Sequence, residues 1–257
     1  MGECLKYQTP DKECMKYAIV SHNIDFVTFL MNEYNLEIDL FNCQSYKNLD
    51  ALFVYYVQTN DINKCFLYST IFNIPHLCEY FLNNGANINE KDKEGNAALN
   101  IAAYNNHMEM TQLLLLHGAN TNEKDYDGRT ALHYAIWNNY KEISEVLLLH
   151  GANINEKDNY GKTALYIATE YNIKEAAQLL LLHGANINEK DNYGKTALHI
   201  AAEYNHKEAA QLLLLHGANA NEKDNYGNTA LHIAAEYNHK EIVELLLLNG
   251  AKNIVPV

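Results

Sequence analysis

The sequence predicts an all-α solenoid of stacked helix–turn–helix units, joined by hairpin-like loops and capped on its N-terminal side by a divergent helical region. Three observations predict it. Gly95, Gly128, Gly161, Gly194 and Gly227 are each 33 residues apart, as are Asp92, Asp125, Asp158, Asp191 and Asp224. A second glycine series, Gly85, Gly118, Gly151, Gly184, Gly217 and Gly250, keeps the same period. So does the series Asn106, Asn139, Asn172, Asn205 and Asn238. A fixed period between roughly 20 and 50 residues marks units that cannot bury their faces alone and so stack on their neighbours.

In the first 85 residues the period fades. Residues 18–35, "AIVSHNIDFVTFLMNEYN", read as a helix pair reversing near His22–Asn23. "LDALFVYYVQTNDINKCFLYSTIF" supplies two more helices with apolar stripes. "FNIPHLCEYFLNNGAN", Phe72–Asn87, ends like the later units, and Asn73 is in phase with the asparagine series. The expected division is therefore 1–85 for the cap and 86–257 for the array, with units starting near residues 92, 125, 158, 191 and 224.

One unit, from Asp191, reads DNYGKTALHIAAEYNHKEAAQLLLLHGANANEK. Thr196 can cap a short first helix whose Leu198, Ala201 and Ala202 form one small apolar face. Asn205 tolerates a left-handed backbone and can end that helix. "HKEAAQLLLLH" is a longer second helix that Gly217 stops. The alanines allow close approach, and the leucines are expected to fill the space between units. "GANANEKDNYG" remains as an extended, polar excursion to the next unit. The C-terminal helix keeps Leu245–Leu248 as apolar as an interior unit, so "NIVPV" folds over it or the end self-associates.

The pattern D-x-x-G-x-T-A-L-H-x-A-A followed by L-L-L-x-x-G-A-N-x-N resembles the ankyrin repeat, over about residues 86–252 in five units. The family has Pro after the Thr, whereas Ala98, Ala131, Ala164, Ala197 and Ala230 stand here; Ala accepts the same helical position. The asparagine series replaces the family's usual Gly before the second helix. The N-terminal region resembles the helical domain of unknown function that precedes ankyrin arrays in large protist protein families.

Composition narrows the function. A net charge of −13 opposes binding to nucleic acid or anionic lipid and suits a protein partner with a basic patch. No apolar run has the length of a signal peptide or a membrane span. Gly2 raises N-myristoylation, but Lys6 stands where that motif wants Ser or Thr. Cys4, Cys14, Cys43, Cys65 and Cys78 are odd in number and form no CxxC pair, which predicts free thiols in a reducing, cytoplasmic setting. The histidines recur at fixed repeat positions, His133, His199 and His232 at one and His117, His150, His183 and His216 at another, so they are expected to be structural. The resemblance implies that the first group hydrogen-bonds neighbouring hairpin backbone. "DYDG", Asp125–Gly128, lacks the remaining ligands of a calcium loop. No catalytic, cofactor or metal signature is found. The expectation is a non-enzymatic scaffold without cofactor.

The resemblance implies that partners lie across the hairpin tips and first helices, on a concave face. It assigns Tyr126, Asp127, Arg129, Tyr160, Lys162, Tyr193, Lys195, Tyr226 and Asn228 at the tips, and Trp137, Glu170 and Glu203 on the exposed helix ends. Tyr160, Tyr193 and Tyr226 are expected in a regular row, about 10 Å between neighbours from helix packing distances. They either offer rigid contact area or shield the turn. The unit from Asp125 breaks the pattern with Arg129, Tyr134, Trp137 and Tyr140, and holds the chain's one tryptophan. Trp137 is an anchor for a partner or a packing substitution. A monomer is expected, with end-to-end self-association through Leu245–Leu248 as the alternative.

Overall fold

The computed structural model describes residues 9–38, 42 and 48–252. The Gly2 context, Cys4, Cys43 and the covering role read for "NIVPV" lie outside the described residues. The chain divides into two compact units, Met1–Asp92 and Lys93–Val257.

The first unit contains five described helices: α1 (Lys12–Val20), α2 (Ile24–Tyr34), α3 (Leu49–Thr59), α4 (Ile62–Ile71) and α5 (Pro75–Asn83). Each packs on the next in sequence. Their starts are written locally. The side chains of Asp11, Asn23, Asn48 and Asp61 accept backbone N–H groups of the first turns of α1 to α4, and Pro75 opens α5. The expected reversal at His22–Asn23 is present, with His22 at φ 51°. Ile19, Leu30, Leu52, Phe66 and Phe81 form the buried core.

The second unit is five helix pairs: α6 (Ala98–Tyr104) with α7 (Met108–Leu116), α8 (Ala131–Trp137) with α9 (Lys141–Leu149), α10 (Ala164–Glu170) with α11 (Lys174–Leu182), α12 (Ala197–Glu203) with α13 (Lys207–Leu215), and α14 (Ala230–Glu236) with α15 (Lys240–Leu248). First helices stack on first helices and second on second, as an all-α solenoid requires. Asn106, Asn139, Asn172, Asn205 and Asn238 all take φ between 54° and 60°, closing the turn within each pair. Thr130, Thr196 and Thr229 cap their helices reciprocally with His133, His199 and His232.

Of the four apolar residues that close each second helix, only some fill the space between units. Leu114, Leu147, Leu180, Leu213 and Leu246 are completely buried, each contributing on the order of 1.5–3 kcal/mol. The last leucine of each helix faces solvent instead, which corrects the expectation that the leucines pack inward. Four consecutive positions sweep about 300° around a helix, so they cannot share one face.

Candidate functional site

The tips are built from the aspartate outward. Asp158 Oδ1 accepts the backbone N–H groups of Tyr160 and Lys162, both at 2.9 Å, and Asp191 does the same for Tyr193 and Lys195. The next residue locks the tip to its predecessor. Asn192 donates its backbone N–H to Tyr160 O (3.0 Å) and its amide to Asn159 O (2.8 Å). Asn159 and Asn225 make the same two bonds to the tips before them. These asparagines are tied into the scaffold by backbone and side chain. In the Asp125 unit Tyr126 occupies this place and keeps only the backbone bond, to Glu94 O at 3.2 Å.

The extended segments entering the tips form a second ladder. Lys124, Lys157 and Lys190 each donate to the carbonyl of the lysine 33 residues on, at 2.9 Å, while pairing with Glu156, Glu189 and Glu222. His133 and His199 add a third link. Nδ1 accepts from the threonine N–H, so Nε2 carries the proton and donates to Lys162 O (3.3 Å) and Asn228 O (3.1 Å). Burial pushes the ionisation of both imidazoles below the usual range. The structural role expected for this histidine series holds for both. Tyr166 stands at the same position and donates to Asp191 Oδ2 at 2.9 Å.

What remains outward is a row of tyrosines and the helix ends behind them. Tyr160, Tyr193 and Tyr226 are all more than half exposed, as is Tyr126 one place earlier in its unit. Behind them the assigned charges pair within their own units: Lys162 Nζ lies 2.8 Å from both Glu170 oxygens, and Lys195 Nζ 2.6 Å from Glu203. Only about a quarter of each of these side chains is exposed, so both pairs are held within their units and largely shielded from solvent. The last unit has Asn228 in place of the lysine, and Glu236 is exposed there.

The Asp125 unit is different in chemistry. The Arg129 guanidinium lies 4.9 Å from the Trp137 ring centroid and pairs with Asp127 at 3.3 Å. Trp137 also meets Tyr171 of the next unit, with ring centroids 5.7 Å apart. Together with Tyr160, Lys162 and Glu170 these residues line an open pocket of about 120 Å³. Tyr171 was absent from the sequence assignment, since it recurs as Tyr204 and Tyr237 and so does not stand out. Tyr134, read with Arg129 and Trp137, instead donates its hydroxyl to Asp125 and packs edge-on against Tyr104, so it supports the tip from inside.

Comparison with known proteins places this architecture. A model of ankyrin repeats (3 copies) matches residues 66–158 and 181–256, and an ankyrin repeat model matches 160–192. The chain belongs to the ankyrin repeat family. An ankyrin repeat domain from Acinetobacter baumannii AYE is similar to it, with 32% identity and a TM-score of 0.68 over 73% of this chain and 98% of that one. A domain of unknown function (DUF3447) matches residues 1–55 of the same chain, in front of the ankyrin array. No match is found among curated proteins. Ankyrin repeats are in general protein–protein interaction modules. Among the described residues no helix is long and apolar enough to cross a membrane, and no group of three His, Cys, Asp or Glu is placed to hold a metal.

Proposed function

We propose that this ankyrin protein is a non-catalytic cytosolic scaffold that binds a protein partner across its tips and first-helix ends, anchored at Arg129, Trp137 and Tyr171. The observation that carries the reading is Trp137 itself. It is half-buried, flanked by a guanidinium and a tyrosine, and borders an open pocket, whereas the corresponding positions in the next two units are the ion-paired Glu170 and Glu203. Trp, Tyr and Arg dominate binding energetics where they meet in a desolvated pocket. The tyrosine row extends the contact over several units, and the net charge of −13 suits a partner with basic surface. Affinity capture at physiological salt tests this. Trp137→Ala is expected to weaken the captured complex by about 30-fold, the effect of a hot spot near 2 kcal/mol, with Tyr193→Ala weaker in effect. Capture unchanged by both substitutions refutes the reading.

A second reading, end-to-end assembly through the last unit, rests on Gly227. A Cβ there meets nothing within 4 Å, whereas at Gly161 it meets Asn192 of the following tip. Leu247 is exposed at the same end, whereas Leu115 and Leu214, at the same repeat position, are buried. Sedimentation that shows a monomer at all concentrations removes this alternative.

A further inference from the structure

Leu116, Leu149, Leu182, Leu215 and Leu248 stand 33 residues apart at the last position of the second helices, and all are between 71% and 86% exposed. No other large apolar position recurs so openly in every unit of the array. Exposed helix positions are ordinarily polar, and a contiguous apolar row on a surface marks a docking site. The row is not a by-product of uniform repeats. α7 (MEMTQLLLL) and α9 (KEISEVLLL) differ at five of nine positions yet share the terminal leucine.

The face carrying the row also carries an excess of acidic charge. Seven residues before each leucine, two helical turns back and on the same side, stands a glutamate: Glu109, Glu142, Glu175, Glu208 and Glu241, all exposed. One turn back stand Gln112, Glu145, Gln178, Gln211 and Glu244. Counter-charges are partial: Lys141, Lys174, Lys207 and Lys240 stand beside four of these glutamates, Lys207 holding Glu241 at 2.6 Å and Lys141 holding Glu145 at 3.7 Å, so four lysines face seven glutamates. An acidic band therefore borders the leucine row, in a chain of net charge −13. That band repels an anionic bilayer and a second copy of the same face. It favours a cationic occupant.

Geometry narrows the occupant further. Stacked helices sit about 8–10 Å apart, so successive leucines are spaced by about that distance. Seven residues of an α-helix advance about 10.5 Å. A helix lying across the second helices would meet one leucine every second turn. We propose that the leucine row docks a basic amphipathic helix of a partner protein, with an apolar residue at every seventh position and Lys or Arg toward the glutamates. This surface lies on the second helices and is separate from the Trp137 site on the first helices.

The test uses the full chain and a synthetic helix-forming peptide of about 28 residues, with leucine at every seventh position and lysines flanking it. Fluorescence anisotropy is expected to show binding that weakens at least about 10-fold in the double variant Leu149→Ser/Leu182→Ser and falls with added salt. Trp137→Ala is expected to leave it within about two-fold, which separates this surface from the proposed tip site. Circular dichroism is expected to show both variants folded, since the leucines touch no core. No binding to the wild-type chain, or binding that the double variant leaves unchanged, overturns the proposal. So does a wild-type dimer that the double variant dissociates, which assigns the row to a second copy. Flotation of the wild type but not the double variant with zwitterionic vesicles also overturns it, in favour of a lipid surface.

Discussion

Gly161 and Gly227 occupy the same place in their tips, with φ of 79° and 85°, yet they face different surroundings. A Cβ at Gly161 would lie 2.6 Å from Asn192 Oδ1 and 2.7 Å from Asn192 N, and one of these atoms is backbone that cannot swing aside. A Cβ at Gly227 meets nothing within 4 Å. Substitution by Ala therefore carries the left-handed backbone cost of about 1–2 kcal/mol at both sites. At Gly161 it also displaces Asn192, whose two bonds to Tyr160 O and Asn159 O are worth roughly 0.5–1.5 kcal/mol each. Gly161→Ala is thus expected to cost about 2–5 kcal/mol and Gly227→Ala about 1–2 kcal/mol, so the difference reports the ladder between tips. Urea unfolding followed by far-ultraviolet circular dichroism reads both, alongside wild type. Equal losses in the two variants would refute the claim that the tips are coupled.

Other expectations follow from the same contacts. Burial holds His133 and His199 neutral, so the folded chain binds fewer protons than the unfolded one, whose histidines titrate near pH 6.5. Their contribution is complete above that pH and is lost progressively as pH falls below about 6.5. The urea midpoint should drop over this window, and less so in His199→Tyr, which borrows the residue that Tyr166 supplies in the preceding unit; an equal slope in both contradicts the assignment. Burial pushes the Cys65 thiol up to about 12 and the Cys78 thiol up to about 11, so both should resist a thiol reagent at pH 8 until urea unfolds the first unit. Rapid labelling in the native state would show that these thiols are accessible. Asn192→Ala should cost about 1 kcal/mol through loss of its amide bond, with Tyr193 still exposed, and unchanged stability would remove Asn192 from the scaffold.

The parts of the fold legible in the sequence are those that one unit specifies by itself. Asn205 must take a left-handed backbone, Thr196 must cap a helix, and Gly217 must end one, whatever lies beside them. Links between units were harder to read because they join residues 29 to 33 positions apart through space. Nothing within "EKDNYG" says that the asparagine amide reaches back to the previous tip, or that the lysine reaches forward to the next carbonyl. The pairing of Lys162 and Lys195 was hidden within a single unit: their glutamates lie eight residues on and meet them only once the first helix is built. The candidate site was half legible. Arg129 and Trp137 stood out as a departure from the repeated phrase, but their third member, Tyr171, repeats as Tyr204 and Tyr237 and so carried no contrast. The exposed leucines were hidden for the opposite reason, since a run of four looks uniformly buried until the helix is built.

Trp137 is the one tryptophan in the chain, so its emission reports the proposed anchor without any label. Titration of the purified chain with a captured partner tests the account most directly, with sedimentation confirming the complex. The account predicts a saturable change in Trp137 emission with the same midpoint as complex formation, as the indole leaves solvent. A stoichiometric complex that leaves the emission untouched would contradict it.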